Sequence, residues 1–563
     1  MKPLVRSIVF VQVVAMTCIP VMLPGQTLGD MARHPPVSIR GSMTANAIGY
    51  HASGMADRMR PVTMLWSAHA TASVFGVSVP FSLRLSSRGA QYSQSFNQIG
   101  LSPSYRWATA HAGYRQVHFS HFTLAGHTFL GGGLELNPGK LRLGLVYGRF
   151  SKSTTGRETA PKIPPTLTRQ GYGVRLGMGS DNTFVDVIFL SIGEDSTSVR
   201  QPRTNDDVPA AENAVAAMNS RIRLSETVAL ESELAASIYT TDTGAVGFSL
   251  SEDDILLRTA DRIVAINHSS ELLTAIRGAL IYQGRGISSR IEYRRIDPGY
   301  RSMGAYFINN DVENFTVSPA FSLFNRTLNL RGSLGWQRDN LRNTKRATSR
   351  RTISSIQASY NPTPVWGLDA SVSNYGSNQR AGRLPLIDSL KVYQTTRNVN
   401  VSPRLVLTGT DFHHVIVGVF SRMTLDDRNA FTCVFNENQA TVLNLNYSLT
   451  ALQYRATALF GLSHNRLENS LATYKSSGLT VGVSQSLRQG TVQAGLHNTV
   501  LRQAQPEGKG WTINSSFNTG YQLSRQHTVR FNLNFIRSVY PAGMENSGFN
   551  EIKGDLGYAY SWG

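Results

Sequence analysis

Residues 64–85, MLWSAHATASVFGVSVPFSLRL, carry apolar side chains at every second position. Successive side chains of a β-strand point to opposite faces, so this period of two predicts amphipathic strands. Polar residues such as His69, Ser82 and Arg84 take the alternate positions. The apolar series is Met64, Trp66, Ala68, Ala70, Ala72 and Val74, followed by Val77, Val79, Phe81, Leu83 and Leu85.

The same alternation recurs along the chain, from 140–147 to the C-terminal region. Within 219–238 it has the form of a hairpin, because a turn at 225–227 keeps the apolar residues of both arms on one face. This turn places Arg221 opposite Glu231, as cross-strand pairing of opposite charges favours. The repeated pattern predicts many strands joined as consecutive hairpins.

Strand and loop lengths distinguish a membrane barrel from a soluble β-protein. Many alternating segments run for roughly 9–12 residues, which is enough to cross a bilayer at a tilt. Short turns alternate with long polar loops, as in outer-membrane barrels with short periplasmic turns and long extracellular loops. The short turns are 137–139, 180–182, 225–227, 325–326, 362–364 and 488–490. The long loops are 151–168, 194–212, 241–271, 339–351, 376–390, 426–437 and 539–549.

The predicted fold is all-β: a transmembrane antiparallel up-and-down β-barrel of roughly 22–26 strands with long extracellular loops. The barrel must close, because lipid offers no hydrogen-bonding partner to an open sheet edge. The strand count depends on residues 87–137. There the strands do not continue to alternate in direction, up and down, unless 118–127 folds inward or forms an extra turn. A soluble all-β protein is the alternative, but it gives no reason for the loop asymmetry.

The N-terminal 25 residues have the pattern of a secretory signal peptide. Their apolar segment, 8–22, is shorter than the roughly 20 residues of a membrane-spanning helix. We expect residues 1–25 to be this signal, 26–60 to form an N-terminal periplasmic segment or the first strand, and 61–563 to form the barrel. The protein is therefore expected in the outer membrane of a Gram-negative bacterium.

The chain of 563 residues carries a formal net charge of +19. This charge suits an anionic membrane surface or a pore that prefers anions. Nucleic-acid binding is disfavoured, because the arginines are scattered singly along strands. There are two cysteines, Cys18 in the leader and Cys433, so the mature barrel is not expected to contain an internal disulfide.

A set of arginines falls on the polar face of the alternating segments, which faces the lumen of a barrel. Singly they can pair with inward glutamates such as Glu135, Glu231 and Glu292; together they can make a cationic lumen that favours anions. The set comprises Arg84, Arg142, Arg175, Arg223, Arg277, Arg290, Arg331, Arg455 and Arg530.

The last predicted strand ends in Asp555-Leu556-Gly557-Tyr558-Ala559-Tyr560-Ser561-Trp562. This segment resembles the C-terminal signal that the barrel-assembly machinery reads during insertion. Asp555, Gly557, Tyr560 and Trp562 carry the resemblance. The chain departs from the usual pattern in ending on Gly563 rather than on the aromatic residue.

Three further segments, 101–105, 124–133 and 297–306, resemble a group of uncharacterised outer-membrane β-barrels common in Bacteroidota. In this sequence they read LSPSY, LAGHTFLGGG and DPGYRSMGAY, and the leader ends in Gly-Gln, which also fits the group. The resemblance extends over most of the mature chain. It implies the fold and the location, and it implies no activity.

The histidine pairs and the glycine run lack the neighbouring residues that a catalytic, metal or phosphate site requires. His118 and His121 lie close together, yet no carboxylate spacing typical of a metal site accompanies them. His413 and His414 are adjacent on a strand and must point to opposite faces. The glycines of 131–133 lack the Lys-Ser/Thr ending of a phosphate loop and instead favour strand curvature or close backbone approach. We predict no enzyme, no cofactor and no metal site.

The leading functional hypothesis is a porin-like or substrate-specific channel for small solutes, with anionic solutes as one candidate class. The alternative is a non-conducting scaffold barrel of an assembly, secretion or surface-attachment complex. Residues 26–60 are too few for a separate plug domain, so a partner protein or inward-folded loops must fill a barrel of this size. The candidates for inward folding are 87–127 and 241–271, the second with a short helix at 253–262. Outer-membrane lipid and the assembly machinery are the other expected partners, with no nucleic acid.

Overall fold

The strands pair antiparallel in sequence order, and the last strand pairs with the first to close a barrel. The computed structural model describes residues 37–74, 76–87, 97–154, 165–198, 209–247, 261–383, 386–506, 508–540 and 548–563. The first fourteen strands are β1 (Val37–Ser53), β2 (Val62–Val74), β3 (Val77–Ser86), β4 (Gln98–Leu101), β5 (Ser104–Tyr105), β6 (Ala108–His118), β7 (Ala125–Leu136), β8 (Leu141–Ser151), β9 (Thr168–Ser180), β10 (Thr183–Asp195), β11 (Glu212–Arg223), β12 (Val228–Thr240), β13 (Ser270–Gly284) and β14 (Ile287–Ile296). The remaining strands are β15 (Val312–Leu323), β16 (Leu328–Arg338), β17 (Ala347–Tyr360), β18 (Trp366–Ala381), β19 (Tyr393–Thr408), β20 (Phe412–Asp427), β21 (Asn438–Ala451), β22 (Ala456–Asn469), β23 (Thr473–Leu487), β24 (Val492–Gln505), β25 (Gly508–Gln522), β26 (His527–Val539) and β27 (Gly548–Trp562).

These elements form a closed antiparallel barrel of 26 strands. The short segments β4 and β5 share one position, because each pairs with β3 on one side and with β6 on the other. An even number allows every neighbouring pair, including β1 with β27, to be antiparallel. The predicted fold class is confirmed, and the count lies at the upper end of the predicted range.

Helical structure is minor in the described residues. It consists of α1 (Cys433–Asn436), two single 3₁₀ turns, Asp388–Leu390 and Arg488–Gly490, and the helical residue Asp261. No helix in this part of the chain has the length and apolar character needed to cross a membrane.

Connections at one end of the barrel are all short, whereas those at the other end are mostly long; the exceptions there join β22 to β23 and β24 to β25, with three and two residues. The end that includes the start of β1 and the end of β27 has turns of two to five residues, and we call it the turn end. The opposite end, the loop end, carries connections of up to 29 residues between consecutive strands. All six predicted short turns lie at the turn end, and five of them contain the Gly, Pro or Asn residues that favour turns.

Several strands extend further toward the loop end than the sequence predicts. β17 begins at Ala347, inside the predicted loop 339–351, and β18 continues to Ala381, well into the predicted loop 376–390. The residues concerned, such as Asn378 and Arg380, are polar on both faces, so alternation ceases although backbone pairing continues. Within 26–60, for which a periplasmic segment or the first strand was expected, β1 occupies 37–53 and forms the first strand of the barrel.

Inner and outer faces are identified by contacts with loops inside the barrel. On β12, the Glu233 carboxylate accepts a hydrogen bond from the Phe122 amide, and the Ser237 hydroxyl donates to the Arg301 carbonyl; Phe122 and Arg301 both lie in loops. Leu234 alternates with these residues and is 42% exposed. The face that includes Glu233 therefore lines the lumen, and the exposed apolar face is the exterior.

The exterior has the dimensions of a membrane-spanning surface. On β25, the outward residues Trp511 and Tyr521 are both exposed and lie near opposite ends of the strand. Ten residues span about 34 Å along a strand, or about 24 Å along the axis at a tilt of about 45°. This height matches the apolar band of about 25 Å between the aromatic girdles of outer-membrane barrels.

Lysines and arginines at outward strand positions are concentrated toward one end of the barrel. All those in the described strands lie within six residues of the loop end, and outward positions near the turn end carry none. Their side chains share the face of exposed residues such as Trp336 and Trp511. This outward set comprises Arg149, Arg295, Arg338, Arg350, Arg380, Arg397, Arg422, Arg466, Lys475, Arg502, Lys509 and Arg537.

Candidate functional site

The loop between β6 and β7, residues 119–124, folds into the lumen. Phe119, Phe122 and Leu124 are at most 3% exposed, although they lie between strands at the loop end. The Glu233 carboxylate on β12 accepts a hydrogen bond of 2.8 Å from the Phe122 backbone amide. Of the two alternatives expected for 118–127, inward folding or an extra turn, the structure shows inward folding of 119–124, whereas 118 and 125–127 belong to β6 and β7.

The loop between β14 and β15, residues 297–311, packs against this first loop. The Tyr300 hydroxyl donates a hydrogen bond to the Phe122 carbonyl at 2.9 Å, and the Ser302 hydroxyl donates to the Thr123 carbonyl at 2.7 Å. Burial, together with the nearby Glu233 charge, raises the pKa of the Tyr300 hydroxyl, which stays neutral and keeps its proton to donate. We call residues 119–124 and 297–311 together the inner loop pair.

The inner loop pair rests on an apolar floor formed by inward side chains of the neighbouring strands. Tyr300, Leu190 and Leu273 are at most 1% exposed and belong to one buried cluster with Phe119 and Leu124. The glycine run at 131–133 lies in this region. A Cβ on Gly131 would lie only 2.0 Å from the Tyr147 carbonyl oxygen, so the predicted role in close backbone approach is confirmed there.

Charged side chains form a connected chain on the inner faces of β11 to β14. Glu231 accepts from Arg221 at 3.3 Å, as the predicted hairpin register requires, and from Arg290 at 2.9 Å. Arg290 also contacts Glu292 at 2.9 Å, and Glu292 contacts Arg277 at 3.2 Å. The predicted inward Arg277 and Arg290 therefore face the lumen with their charges largely compensated.

Arg142 and Arg175 are compensated in the same way. Arg142 donates two hydrogen bonds to the Asp186 carboxylate, at 2.9 and 3.1 Å, and its guanidinium lies 4.4 Å from the ring centre of Phe184. Arg175 donates to Glu135 at 3.0 Å. These arginines support the wall beneath the inner loop pair instead of presenting free charge to solvent.

The remaining predicted lumen arginines differ in the partners that they contact. Arg84, Arg331 and Arg530 occupy inward positions and make no ion pair with any described residue. Arg223 is also inward but donates to the carbonyls of Ser225 and Glu226 at the turn end.

The prediction for Arg455 is wrong. Arg455 lies in the turn between β21 and β22 with φ of 48°, so it does not belong to the polar face of a strand. The alternating pattern was extended one residue too far, because β22 begins only at Ala456. Its carbonyl instead accepts the Ser486 amide at 3.0 Å.

The wall opposite the inner loop pair is polar and nearly uncharged. On the inner faces of β21 to β26, Arg530 is the one arginine or lysine in the described residues, and no Asp or Glu occurs. Moreover, no described apolar residue after Val312 is fully buried, so no packed core covers this wall. Representative inward residues are Asn444, Asn446, Ser463, Thr480, Thr499, Asn514, Ser516, Asn518, Asn532 and Asn534.

The histidines do not assemble a metal site in the described residues. His118 and His121 have ring centres 5.4 Å apart, but no group of three or more His, Cys, Asp or Glu side chains is placed to hold a metal there. His413 and His414 lie on opposite faces of β20, and His414 contacts the Tyr447 hydroxyl at 2.9 Å.

The C-terminal strand β27 divides its four motif residues between the two faces. Tyr560 and Trp562 face outward at the turn end and stack at 5.2 Å, and Tyr560 also stacks on His527 at 4.6 Å. Asp555 and Gly557 face the lumen beside β1. The strand is thus paired on both sides in the closed barrel.

Two of the three segments on which the resemblance rests, 124–133 and 297–306, contact each other in the lumen. The Ala125 amide donates to the Gly304 carbonyl at 3.0 Å, and the His127 and Tyr306 rings stack at 4.1 Å. Sequence reasoning did not predict this contact. Most of the predicted short helix at 253–262 lies outside the described residues.

The chain is similar to solved structures of outer-membrane β-barrels, at low identity and with low TM-scores. No family model and no curated protein matches it. OccAB2 of Acinetobacter baumannii is 10% identical, with 68% of this chain and 99% of that chain covered and a TM-score of 0.31. The FrpB iron transporter of Neisseria meningitidis is 10% identical, with 95% and 83% covered and a TM-score of 0.38. OpdK of Pseudomonas aeruginosa, solved with vanillate, is 10% identical, with 63% and 93% covered and a TM-score of 0.30. Likeness this low supports no assignment of substrate.

Proposed function

We propose that this protein is a porin-like outer-membrane channel for small polar solutes. The observation that carries the proposal is the uncovered polar wall of β21 to β26, whose amides and hydroxyls face a lumen that no described apolar core fills. Barrels of 16–18 strands already enclose an aqueous channel. A barrel of 26 strands with the inner loop pair on one side leaves room for water along the other.

The membrane location is part of this proposal. An exterior of exposed apolar residues, with Trp511 and Tyr521 about 24 Å apart along the axis, suits a bilayer and would be costly in water. The predicted signal peptide at 1–25 supports export to the outer membrane. Membership of the Bacteroidota-type group rests on the motifs at 101–105, 124–133 and 297–306 and is proposed on that basis.

Planar-bilayer recording of the purified, folded barrel tests the channel proposal. We expect stable single-channel steps, because the polar wall supports a continuous water path. A barrel that is heat-modifiable on gels, and therefore folded, but never conducts would contradict the proposal. That result would favour the scaffold alternative.

Anion preference is expected to arise from lumen arginines that lack an ion pair, a set that includes Arg84, Arg331 and Arg530. The triple variant Arg84→Gln, Arg331→Gln, Arg530→Gln should conduct as well as the parent while its reversal potential in a salt gradient moves toward the non-selective value. Uncompensated cations raise the local anion concentration, and glutamine removes this effect at similar volume.

The matched control removes three outward cations instead: Arg466→Gln, Lys475→Gln, Arg502→Gln. It has the same change in net charge, but these side chains face away from the lumen. Selectivity should remain that of the parent. An equal loss of anion preference in both variants would show that overall charge, not the lumen arginines, sets selectivity.

We also propose that β27 is the strand read by the assembly machinery. In cells, Tyr560→Ala with Trp562→Ala should reduce the amount of heat-modifiable barrel in the outer-membrane fraction. The control is Tyr521→Ala with Trp511→Ala, which removes outward aromatics of β25. Equal losses in both pairs would mean that the aromatics matter for lipid contact alone, and the signal proposal would fail.

A further inference from the structure

A cationic patch and an apolar groove meet on the exterior of β21 to β25 near the loop end. Three rows of outward residues cross these strands in register. The row nearest the loop end is Thr441, Arg466, Lys475, Ala504 and Lys509. The next row is Leu443, His464, Ser477, Arg502 and Trp511, and the third is Leu445, Leu462, Leu479, Val500 and Ile513.

The order of these rows, from cations through an aromatic row to apolar residues, matches the order of headgroups, interface and acyl chains in one leaflet. Leu462 and Leu479 are 57% and 49% exposed, which suits contact with acyl chains. Trp511 lies at the height of the interface, and the Arg502 guanidinium is 5.8 Å from its ring centre. Arg466 and Lys475 are direct cross-strand partners one row higher. Cations directly opposite each other repel, and Glu468, which contacts Arg466, leaves the Lys475 charge without a carboxylate partner in the described residues.

A groove of about 770 Å³ lies in the second and third rows. Its walls include Leu445, Leu462 and Leu479 on the apolar side and His464 and Arg502 on the polar side. A ligand that fills it needs an apolar chain continuous with an anionic group. Among the charges of the patch, Glu468 contacts Arg466, whereas Lys475 and Arg502 have no carboxylate partner in the described residues.

We propose that this surface binds a phosphate-bearing lipid of the leaflet at the loop end. The phosphate group lies between Arg466, Lys475 and Arg502, and an acyl chain lies in the groove below. The outward cations of β8 and of the strands from β14 to β26 are all confined to the loop end, so the same chemistry orients the protein toward an anionic leaflet on that side. This inference requires that the barrel span a membrane, but it does not require that the barrel conduct.

Lipid titration of the delipidated protein in detergent, followed by native mass spectrometry, tests the proposal. The probes are diphosphoryl lipid A, the same glycolipid with both phosphates removed, and inorganic phosphate as a competitor. We expect the parent to retain the phosphorylated lipid in preference to the phosphate-free one. Inorganic phosphate should displace it poorly, because phosphate lacks the acyl chain that occupies the groove.

The variant Arg466→Gln, Lys475→Gln, Arg502→Gln should weaken binding of diphosphoryl lipid A about a hundredfold, given the contribution of each cation near a lipid surface. The matched control Arg326→Gln, Arg455→Gln, Arg488→Gln removes the same charge from turns at the opposite end and should bind as the parent does. Equal weakening in both variants would overturn the proposal, as would equal binding of the phosphate-free glycolipid. Conductance is measured separately, so failure here leaves the channel proposal intact.

Discussion

Replacing Gly304 with valine should displace the inner loop pair and increase the single-channel conductance. A Cβ at Gly304 would lie 2.6 Å from a Leu190 methyl carbon and 2.9 Å from the Thr123 carbonyl oxygen, and both neighbours are fully buried. Overpacking of this kind costs about 1–3 kcal/mol, which the two loops can relieve by separating. Urea unfolding followed by gel mobility measures the stability, and bilayer recording measures the opening.

The control for this change is Gly520→Val on β25. A Cβ at Gly520 has no atom within 4 Å, so the substitution adds the same side chain to the opposite wall without a clash. We expect parental stability and a conductance equal to or slightly below that of the parent. If Gly304→Val also leaves both quantities at parental values, the inner loop pair does not restrict the lumen.

Replacing Arg142 with alanine should strongly destabilise the barrel while leaving its ion selectivity unchanged. The Asp186 side chain is 1% exposed and that of Arg142 is 14% exposed, so the variant leaves a buried carboxylate without its counter-charge. Removing one partner of a buried pair typically costs about 3–5 kcal/mol. The decrease in the urea midpoint measures the loss.

Two further variants distinguish this account from a general effect of losing an arginine. The double variant Arg142→Ala, Asp186→Ala should recover part of the lost stability, because the uncompensated charge is gone. Arg331→Ala should change stability by no more than about 0.5 kcal/mol, since Arg331 is exposed to the lumen without an ion pair. Equal destabilisation by Arg142→Ala and Arg331→Ala would contradict the distinction between compensated and free arginines.

The barrel itself was predictable because its signals are local. Apolar residues at every second position define the strand faces, and turn residues such as Pro138 and Gly139 define where hairpins reverse. The register that pairs Arg221 with Glu231 follows from one short turn. Strand ends were less predictable, because the polar residues near the loop end of β17 and β18 continue to pair after the apolar alternation has stopped.

The inner loop pair was not predictable in full, because its contacts join distant parts of the chain. The hydrogen bond from Tyr300 to the Phe122 carbonyl spans 178 residues, and no periodicity encodes it. A partial signal was present: Phe119, Phe122 and Leu124 are apolar residues placed between strands, where solvent exposure would be unfavourable. That signal predicts inward folding but does not identify the second loop.

For the lumen arginines too, the sequence predicts the orientation of a side chain but not its contacts. Strand parity predicts that Arg142 and Arg530 face inward, and both do. Parity alone does not reveal that Asp186 neutralises Arg142 whereas Arg530 has no such partner in the described residues. Whether an arginine is neutralised depends on which strands are neighbours and on how far along the barrel axis each side chain lies. Both are known only once the strands are paired in the closed sheet.

Single-channel recording of the folded barrel tests the central claim most directly, namely that the polar wall of β21 to β26 lines a water-filled path. The protein is first shown to be folded by its heat-modifiable gel mobility and then inserted in a planar bilayer. We predict stable conductance steps with a preference for anions that depends on Arg84, Arg331 and Arg530. A folded, inserted barrel that stays silent for both the parent and Gly304→Val would contradict the account.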